Sequence, residues 1–247
     1  MFLLFFLIKK ILDIFLFLFP STCLLCHKLI EDDVSFCFDC WKKIDFISNF
    51  YCKICGKKIL ISDNESYICA SCIFAKPKFT IARFLFIFDK NTQKMIYEFK
   101  YHDKTHLSKH FAKLLLARYR SNFDDIDIII PVPMHNIKKL YRKYNPAEIL
   151  AKDIAKKMSK KFLADVLVKT KFTKSQTYFT KKQRLLNIRN SIKANSKYNL
   201  DNKKILLVDD VYTTGVTADI CAQILLKKFK FSEVRFCAIA RTEKILF

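Results

Sequence analysis

The chain has 247 residues, enough to bury a full core in one or two domains. Hydrophobic residues make up 51% and aromatics 15%, which excludes wholesale disorder. A net charge of +22, from 45 Lys+Arg against 23 Asp+Glu, points to polyanionic partners such as nucleic acid or anionic lipid, or to a lysine bias spread over solvated faces.

Residues 1–20 are strongly apolar and rich in phenylalanine. Lys9, Lys10 and Asp13 interrupt them, so neither apolar stretch is long enough to cross a bilayer. No basic segment precedes the apolar run and no small-residue cleavage site follows it, which argues against a signal peptide. Leu4, Ile8, Ile11, Leu12 and Phe15 share one helical face. The expectation is a helix packed on its own protein, or one lying in a membrane interface, ended by Pro20.

Eight of the ten cysteines then form four Cys-x-x-Cys pairs: Cys23/Cys26, Cys37/Cys40, Cys52/Cys55 and Cys69/Cys72. A two-residue spacer lets one tight turn aim both sulfurs at a single ion, and two such knuckles complete a tetrahedral thiolate site that suits zinc. A disulfide framework would need an oxidising compartment, for which no export signal speaks. Two zinc ions are therefore expected. Sequential ribbons would group Cys23, Cys26, Cys37 and Cys40 on one and Cys52, Cys55, Cys69 and Cys72 on the other; a cross-braced arrangement would interleave them. Short apolar pieces at 34–36 and 67–68 read as ribbon strands. Gly56, one of only two glycines, follows Cys55 where a knuckle calls for positive φ. Cys221 and Cys237 stand alone and read as buried structural thiols.

From residue 77 the pattern changes to alternating strands and helices. Strands are predicted at 81–88, 126–130, 165–168, 204–208 and 233–240, and helices at 93–101, 107–119, 146–158 and 216–228. Residues 169–197 read as a long polar, basic loop. Such alternation argues for a mostly parallel sheet flanked by helices, with ligands bound beyond the carboxyl ends of its strands.

The stretch 204–217 falls at that place. Four apolar residues lead into Asp209 and Asp210. Val211 and Tyr212 connect them to Thr213, Thr214, Gly215, Val216 and Thr217, which open the next helix. Backbone N–H groups, three threonine hydroxyls, a glycine for close approach and a helix N-terminus together suit a phosphate. The two carboxylates would then accept hydrogen bonds from ribose hydroxyls nearby. The plainer reading is a capped helix start beside an acidic turn. The ordered combination after an apolar strand favours the ligand site.

These residues resemble the phosphoribosyl-pyrophosphate (PRPP) motif of type I phosphoribosyltransferases. The whole chain resembles the ComF family (the ComFC/GntX group). The resemblance runs from the apolar segment ending in Pro20 through the cysteine pairs, Phe99-Lys100-Tyr101, 127–133 and Arg142-Lys143-Tyr144-Asn145. It continues through Lys169-Thr170, Thr173, Gln176, Arg184 and Asn187 to the PRPP motif and Ala240-Arg241. It implies an N-terminal helix (1–20), a double zinc ribbon (21–76) and a type I phosphoribosyltransferase-like domain (77–247). Carried over, Asp209 and Asp210 would hold the ribose and be the catalytic acids if chemistry occurs. Val211, Thr213, Thr214, Gly215, Val216 and Thr217 would hold the 5-phosphate. Pro133 would sit in the pyrophosphate loop, Arg142 would neutralise pyrophosphate charge, and Mg2+ would arrive with PRPP. Gln176 and Arg184 would lie in a closing loop. The chain departs from the family where Arg-Gly-Phe-Asn-Gln is replaced by Arg142-Lys143-Tyr144-Asn145-Pro146.

Three functions follow as expectations. One is handling of single-stranded DNA during natural transformation, with PRPP as a bound ligand, in the cytoplasm or peripheral to the inner membrane and in contact with competence machinery. Another is an active phosphoribosyltransferase with an unknown acceptor. The third is a zinc-ribbon interaction module on a degenerate transferase fold.

Overall fold

A computed structural model describes residues 21–30, 35–47, 50–59, 67–171, 190–230 and 232–243. The expected N-terminal helix, Val34 and the positions Thr173, Gln176, Arg184 and Asn187 lie outside the described residues. Among the described residues, no helix is long and apolar enough to cross a membrane. The chain divides into two compact units, residues up to 45 and residues from 46 onward.

The first unit holds one cysteine ribbon. Cys23 N–H donates to Lys28 O (2.8 Å) and His27 N–H to Cys23 O (2.9 Å), closing a tight knuckle. A bridge between Thr22 and Leu29 clamps its base. Helix α1 (Phe38–Trp41) follows, with Cys37 at its N-cap. The second unit opens with the same device. Cys52 N–H donates to Lys57 O (2.8 Å) and Gly56 N–H to Cys52 O (2.9 Å). Tyr51 bridges Lys58, and Cys69 caps helix α2 (Ala70–Phe74). Ser35, Phe36, Tyr67 and Ile68 are not in strands, contrary to the sequence expectation. A one-turn helix places the N-cap and third residues on one side, so both sulfurs of the second pair turn inward without a strand.

The rest of the second unit is built on a five-stranded sheet in the order β1-β7-β6-β2-β3, with every neighbouring pair parallel. Its strands are β1 (Ala82–Ile87), β2 (Ile128–Pro131), β3 (Lys161–Phe162), β6 (Lys204–Tyr212) and β7 (Glu233–Arg241). Among the described residues five helices connect them: α3 (Lys90–Tyr101), α4 (Leu107–Tyr119), α5 (Asn136–Arg142), α6 (Pro146–Met158) and α7 (Val216–Lys228). All six residues of β1 and all four of β2 are buried, as expected when helices cover both faces of a parallel sheet. Ile128, Ile130, Ile205, Leu207 and Phe236 form the heart of the core.

The sequence expectation also differs from the fold beyond the ribbons. The strand expected at 165–168 belongs to a separate antiparallel pair, β4 (Leu167–Lys169) with β5 (Ile192–Ala194), and β5 falls inside the segment read as a loop. Strand β3 and helix α5 were not anticipated. One is two residues long and the other seven, so the apolar set Ile137, Leu140 and Tyr141 is too short to stand out as a helix.

Candidate functional site

The site arises where two parallel strands end out of step. Strand β2 stops at Pro131, opposite Val208 on β6. Val132 N–H makes a last bond to Val208 O (2.8 Å), and the chain then turns away. Strand β6 runs on for four more residues, with Asp209 opposite Ala238 and Val211 opposite Ala240 on β7. Beyond Val208 it therefore has a sheet neighbour on one side only, and Asp209 and Asp210 face the gap that β2 leaves. Both acids are strand residues rather than loop residues, which holds their spacing rigid.

A cleft of about 100 Å3 occupies that gap. Val132, Pro133, Met134 and His135 form one wall, Asp209 and Asp210 the floor, and Lys138, Asn145 and Lys169 the rest. Asn145 shapes the wall from behind. It caps α6 by accepting from Ala147 N–H (3.1 Å) and donates its amide to Val132 O (3.0 Å). His135 caps α5 by accepting from Ile137 N–H at Nδ1 (3.2 Å).

The electrostatics are those of a paired acid among lysines. Lys100 Nζ lies 3.0 Å from Asp210 Oδ1, and Asp210 N–H donates to Asp209 Oδ1 (2.8 Å). Burial, reinforced by the charge of Asp210, pushes the Asp209 carboxyl up to about 7. Lys138 is pushed down by desolvation and by the cations Arg142 and Lys169 beside it. Lys169 is pushed down by desolvation, against the pull of Asp209. Lys100, Lys138 and Lys169 thus outnumber the two acids, a balance suited to a ligand with several negative charges.

The loop after β6 has the form expected for phosphate. Thr213 and Thr214 are exposed. Gly215 sits at φ 78° as the N-cap of α7, so no capping side chain stands before the helix N–H groups. A Cβ at Gly215 would lie 2.1 Å from the Tyr212 hydroxyl, so the position takes only glycine. Thr242 braces the loop from below, its N–H donating to Tyr212 O (2.9 Å) and its hydroxyl to Thr213 O (3.2 Å). The bulky Tyr212 ring packs down among Phe84 (5.0 Å between centroids) and Phe236 (5.6 Å).

Most of the residues assigned from sequence meet here: Asp209, Asp210 and Pro133 in the cleft, and 213–217 at its end. Arg142 does not line it. Its guanidinium lies 4.5 Å over the Tyr101 ring and donates to the Tyr101 hydroxyl. Lys100, Asn145 and Lys169 fall in stretches that carry the family resemblance but have no role assigned from sequence, and Lys138 falls in none of them. The lysines are hidden among 45 Lys+Arg, and no spacing ties them to the aspartates. The replaced family glycine also finds its reason. Lys143 sits at φ 66° as the C-cap of α5, a left-handed position that glycine adopts without strain. Pro146 fits at the first turn of α6, where no N–H is needed.

The cysteines group sequentially, not interleaved. In each set, Cys23, Cys26, Cys37, Cys40 and Cys52, Cys55, Cys69, Cys72, all four sulfurs lie within 4.8 Å of one another. Cys26 and Cys37 sulfurs are 3.7 Å apart and those of Cys55 and Cys69 are 3.6 Å apart. A tetrahedron with Zn–S bonds of about 2.3 Å has sulfur edges of about 3.8 Å, so the residues fit zinc. Cys69 N–H points at Cys52 Sγ (3.3 Å), a contact that steadies a thiolate. With four cysteines each, these are closed structural sites. Cys221 and Cys237 are buried, as expected.

The second ribbon touches the sheet directly. Arg241, the last residue of β7, is buried. Its Nη1 donates to Cys55 O and lies 3.8 Å from Cys55 Sγ. Its guanidinium lies over Phe84 (5.4 Å) and Tyr212 (5.2 Å). A Cβ at Gly56 would stand 2.6 Å from Ala82 O, so β1 presses against the knuckle there. His27, at the matching place in the first ribbon, holds the same left-handed turn at φ 60° without glycine.

Comparison with known proteins agrees with this architecture. A double zinc ribbon domain family matches residues 14–73. A phosphoribosyl transferase domain family matches residues 145–244. Competence protein F of Haemophilus influenzae is 26% identical over 83% of this chain and 90% of its own length. Competence protein ComFC of Bacillus subtilis is 21% identical over 89% of this chain and 95% of its own. DNA utilization protein YhgH of Escherichia coli is 22% identical over 71% of this chain and 78% of its own.

Proposed function

We propose that this chain, which belongs to the ComF family, handles single-stranded DNA during natural transformation and binds PRPP in the cleft between β2 and β6. The observation that carries the reading is the paired acid on β6, continuous with a glycine-capped phosphate loop and faced by three lysines. In that cleft Asp209 and Asp210 accept hydrogen bonds from the ribose hydroxyls. The N–H groups and hydroxyls of 213–217 hold the 5-phosphate. The wall at 132–135, with Lys138 and Lys169, takes the pyrophosphate, and a Mg2+ arriving with PRPP would offset its charge. The names of the curated relatives support a competence role, and the charge of +22 supports a polyanionic partner. In this reading the protein works in the cytoplasm, peripheral to the inner membrane and close to the competence machinery.

Calorimetric titration tests it. PRPP with Mg2+ is titrated into wild type and Asp209→Ala/Asp210→Ala, each with and without a single-stranded oligonucleotide. Wild type is expected to bind PRPP, the double variant to lose it, and strand affinity to fall steeply with salt. Wild type that binds neither ligand would sink the reading. Coupling between the two ligands would show as equal and reciprocal changes in affinity.

The raised Asp209 carboxyl supports a second reading, active phosphoribosyl transfer. A carboxylate poised near neutrality suits a group that takes a proton from an incoming nucleophile. Release of pyrophosphate that depends on an added acceptor, and disappears in Asp209→Asn, would establish it.

A further inference from the structure

Helix α5 buries none of its seven residues. It exposes Ile137, Leu140 and Tyr141, the last two by 80% and 86%. Next to it, the last turns of α3 expose Tyr97 and Tyr101, whose rings are 4.8 Å apart and tilted by 38°. Arg142 lies flat enough over Tyr101 for its guanidinium to sit 4.5 Å from the ring centroid. Three consecutive residues stitch the two helices together. Arg142 donates to Tyr101 Oη, Lys143 pairs with Asp103 (2.5 Å), and Tyr144 Oη donates to Phe99 O. The rings and the guanidinium therefore belong to one held surface.

That surface is basic as well as aromatic. Residues 136–144 carry Lys138, Lys139, Arg142 and Lys143 and no carboxylate; Glu148 pairs with Lys139 (2.8 Å) and Asp103 with Lys143, which leaves the charges of Lys138 and Arg142 in excess. It is also continuous with the cleft. Lys100, next to Tyr101, holds Asp210, and Lys138, one turn before Arg142, lines the cleft. Exposed rings beside cations suit a strand whose bases are free to stack and whose phosphates need neutralising. A duplex keeps its bases stacked inside and gains little from such rings.

We infer that the end of α3 and the exposed helix α5 form a stacking platform for the bases of single-stranded DNA passing the mouth of the cleft. This rests on the proposed strand-handling role and adds the place where the strand is held. Tyr97, Tyr101 and Tyr141 supply stacking faces, and Arg142 supplies both a planar face and a charge.

Fluorescence anisotropy of a labelled oligo-dT tests it, with a duplex of equal length as control. Tyr101→Ala/Tyr141→Ala is expected to weaken strand binding roughly tenfold or more, and Tyr101→Phe/Tyr141→Phe to retain it. The aromatic variants should leave the salt slope unchanged, whereas Arg142→Ala should reduce it by about 0.7. Tyr141→Ala alone, at an 86% exposed position, guards against loss by misfolding and should show a partial loss at unchanged melting temperature. Wild type that binds the strand while the double alanine variant binds equally well would overturn the platform and leave the functional reading standing. The same holds if the double variant changes only the oligomeric state by light scattering, which would make this face a contact between copies. Wild type that binds no strand at low salt would overturn both.

Discussion

At the scale of single residues, Asp209 sets the fold against the site. Its carboxyl is pushed up to about 7, so between the unperturbed 3.8 and that value the folded chain holds a proton that the unfolded chain has released. The stability this group contributes is present in full below pH 3.8 and is lost as pH rises through 7. Asp209→Asn should therefore melt several degrees higher than wild type at pH 8, with a smaller gain at pH 5, while losing PRPP affinity; a gain that does not shrink at low pH would contradict the cause given. Lys143 carries a different strain, a left-handed backbone at φ 66°. Lys143→Gly should stabilise by up to about 1 kcal/mol in urea unfolding, less whatever the exposed ion pair with Asp103 contributes. The acids and Gly215 were legible because their chemistry is local: an ordered run after an apolar strand. The roles of Lys100, Lys138 and Lys169 were not, because no spacing ties them to the aspartates, even though the family resemblance runs through Lys100 and Lys169.

At the scale of elements, the strand that carries the site is braced by the second ribbon. Arg241 bonds Cys55 O and lies over Tyr212, whose hydroxyl sits beneath Gly215. A chain of direct contacts thus joins a cysteine of the second ribbon to the loop after β6. Arg241→Met should cost about 2–3 kcal/mol in chemical unfolding, because a buried charged hydrogen bond is lost, and should speed zinc release from the second ribbon without speeding it from the first. Equal release from both would mean that Arg241 supports the sheet alone. The long elements, α4, α6 and α7, match the sequence periodicity because each buries one face on the sheet. The short ones, α5 and β3, are illegible because seven and two residues are too few for a period to stand out. The apolar run places the end of strand β6 at Val208, yet pairing with β7 carries it past the acids to Tyr212.

At the scale of the whole molecule, the two cysteine sets differ in protection. In the first unit Cys26 is exposed and Cys37 partly so, whereas all four cysteines of the second set are buried. Two equivalents of zinc should therefore leave in two phases under a chromogenic chelator, the first set ahead of the second. Cys26→Ser should abolish the fast phase and spare the slow one. A single phase of two equivalents would show that accessibility does not govern release. Because zinc binding to such ribbons is itself folding energy, the slow phase should coincide with loss of sheet structure by circular dichroism.

By itself the sequence determined the chemistry that is contiguous in the chain. Each Cys-x-x-Cys knuckle, the apolar strand with its two acids and the threonine-glycine loop bring their groups together through local backbone geometry, whatever the rest of the molecule does. Tertiary structure alone decided which knuckles share an ion, how far β6 runs past β2, and which three of the many lysines face the acids. It also turned Arg142 onto Tyr101 and set Arg241 against Cys55. Those outcomes depend on where separate elements dock, and docking is governed by buried surface and sheet pairing between residues far apart in sequence, which no local spacing records.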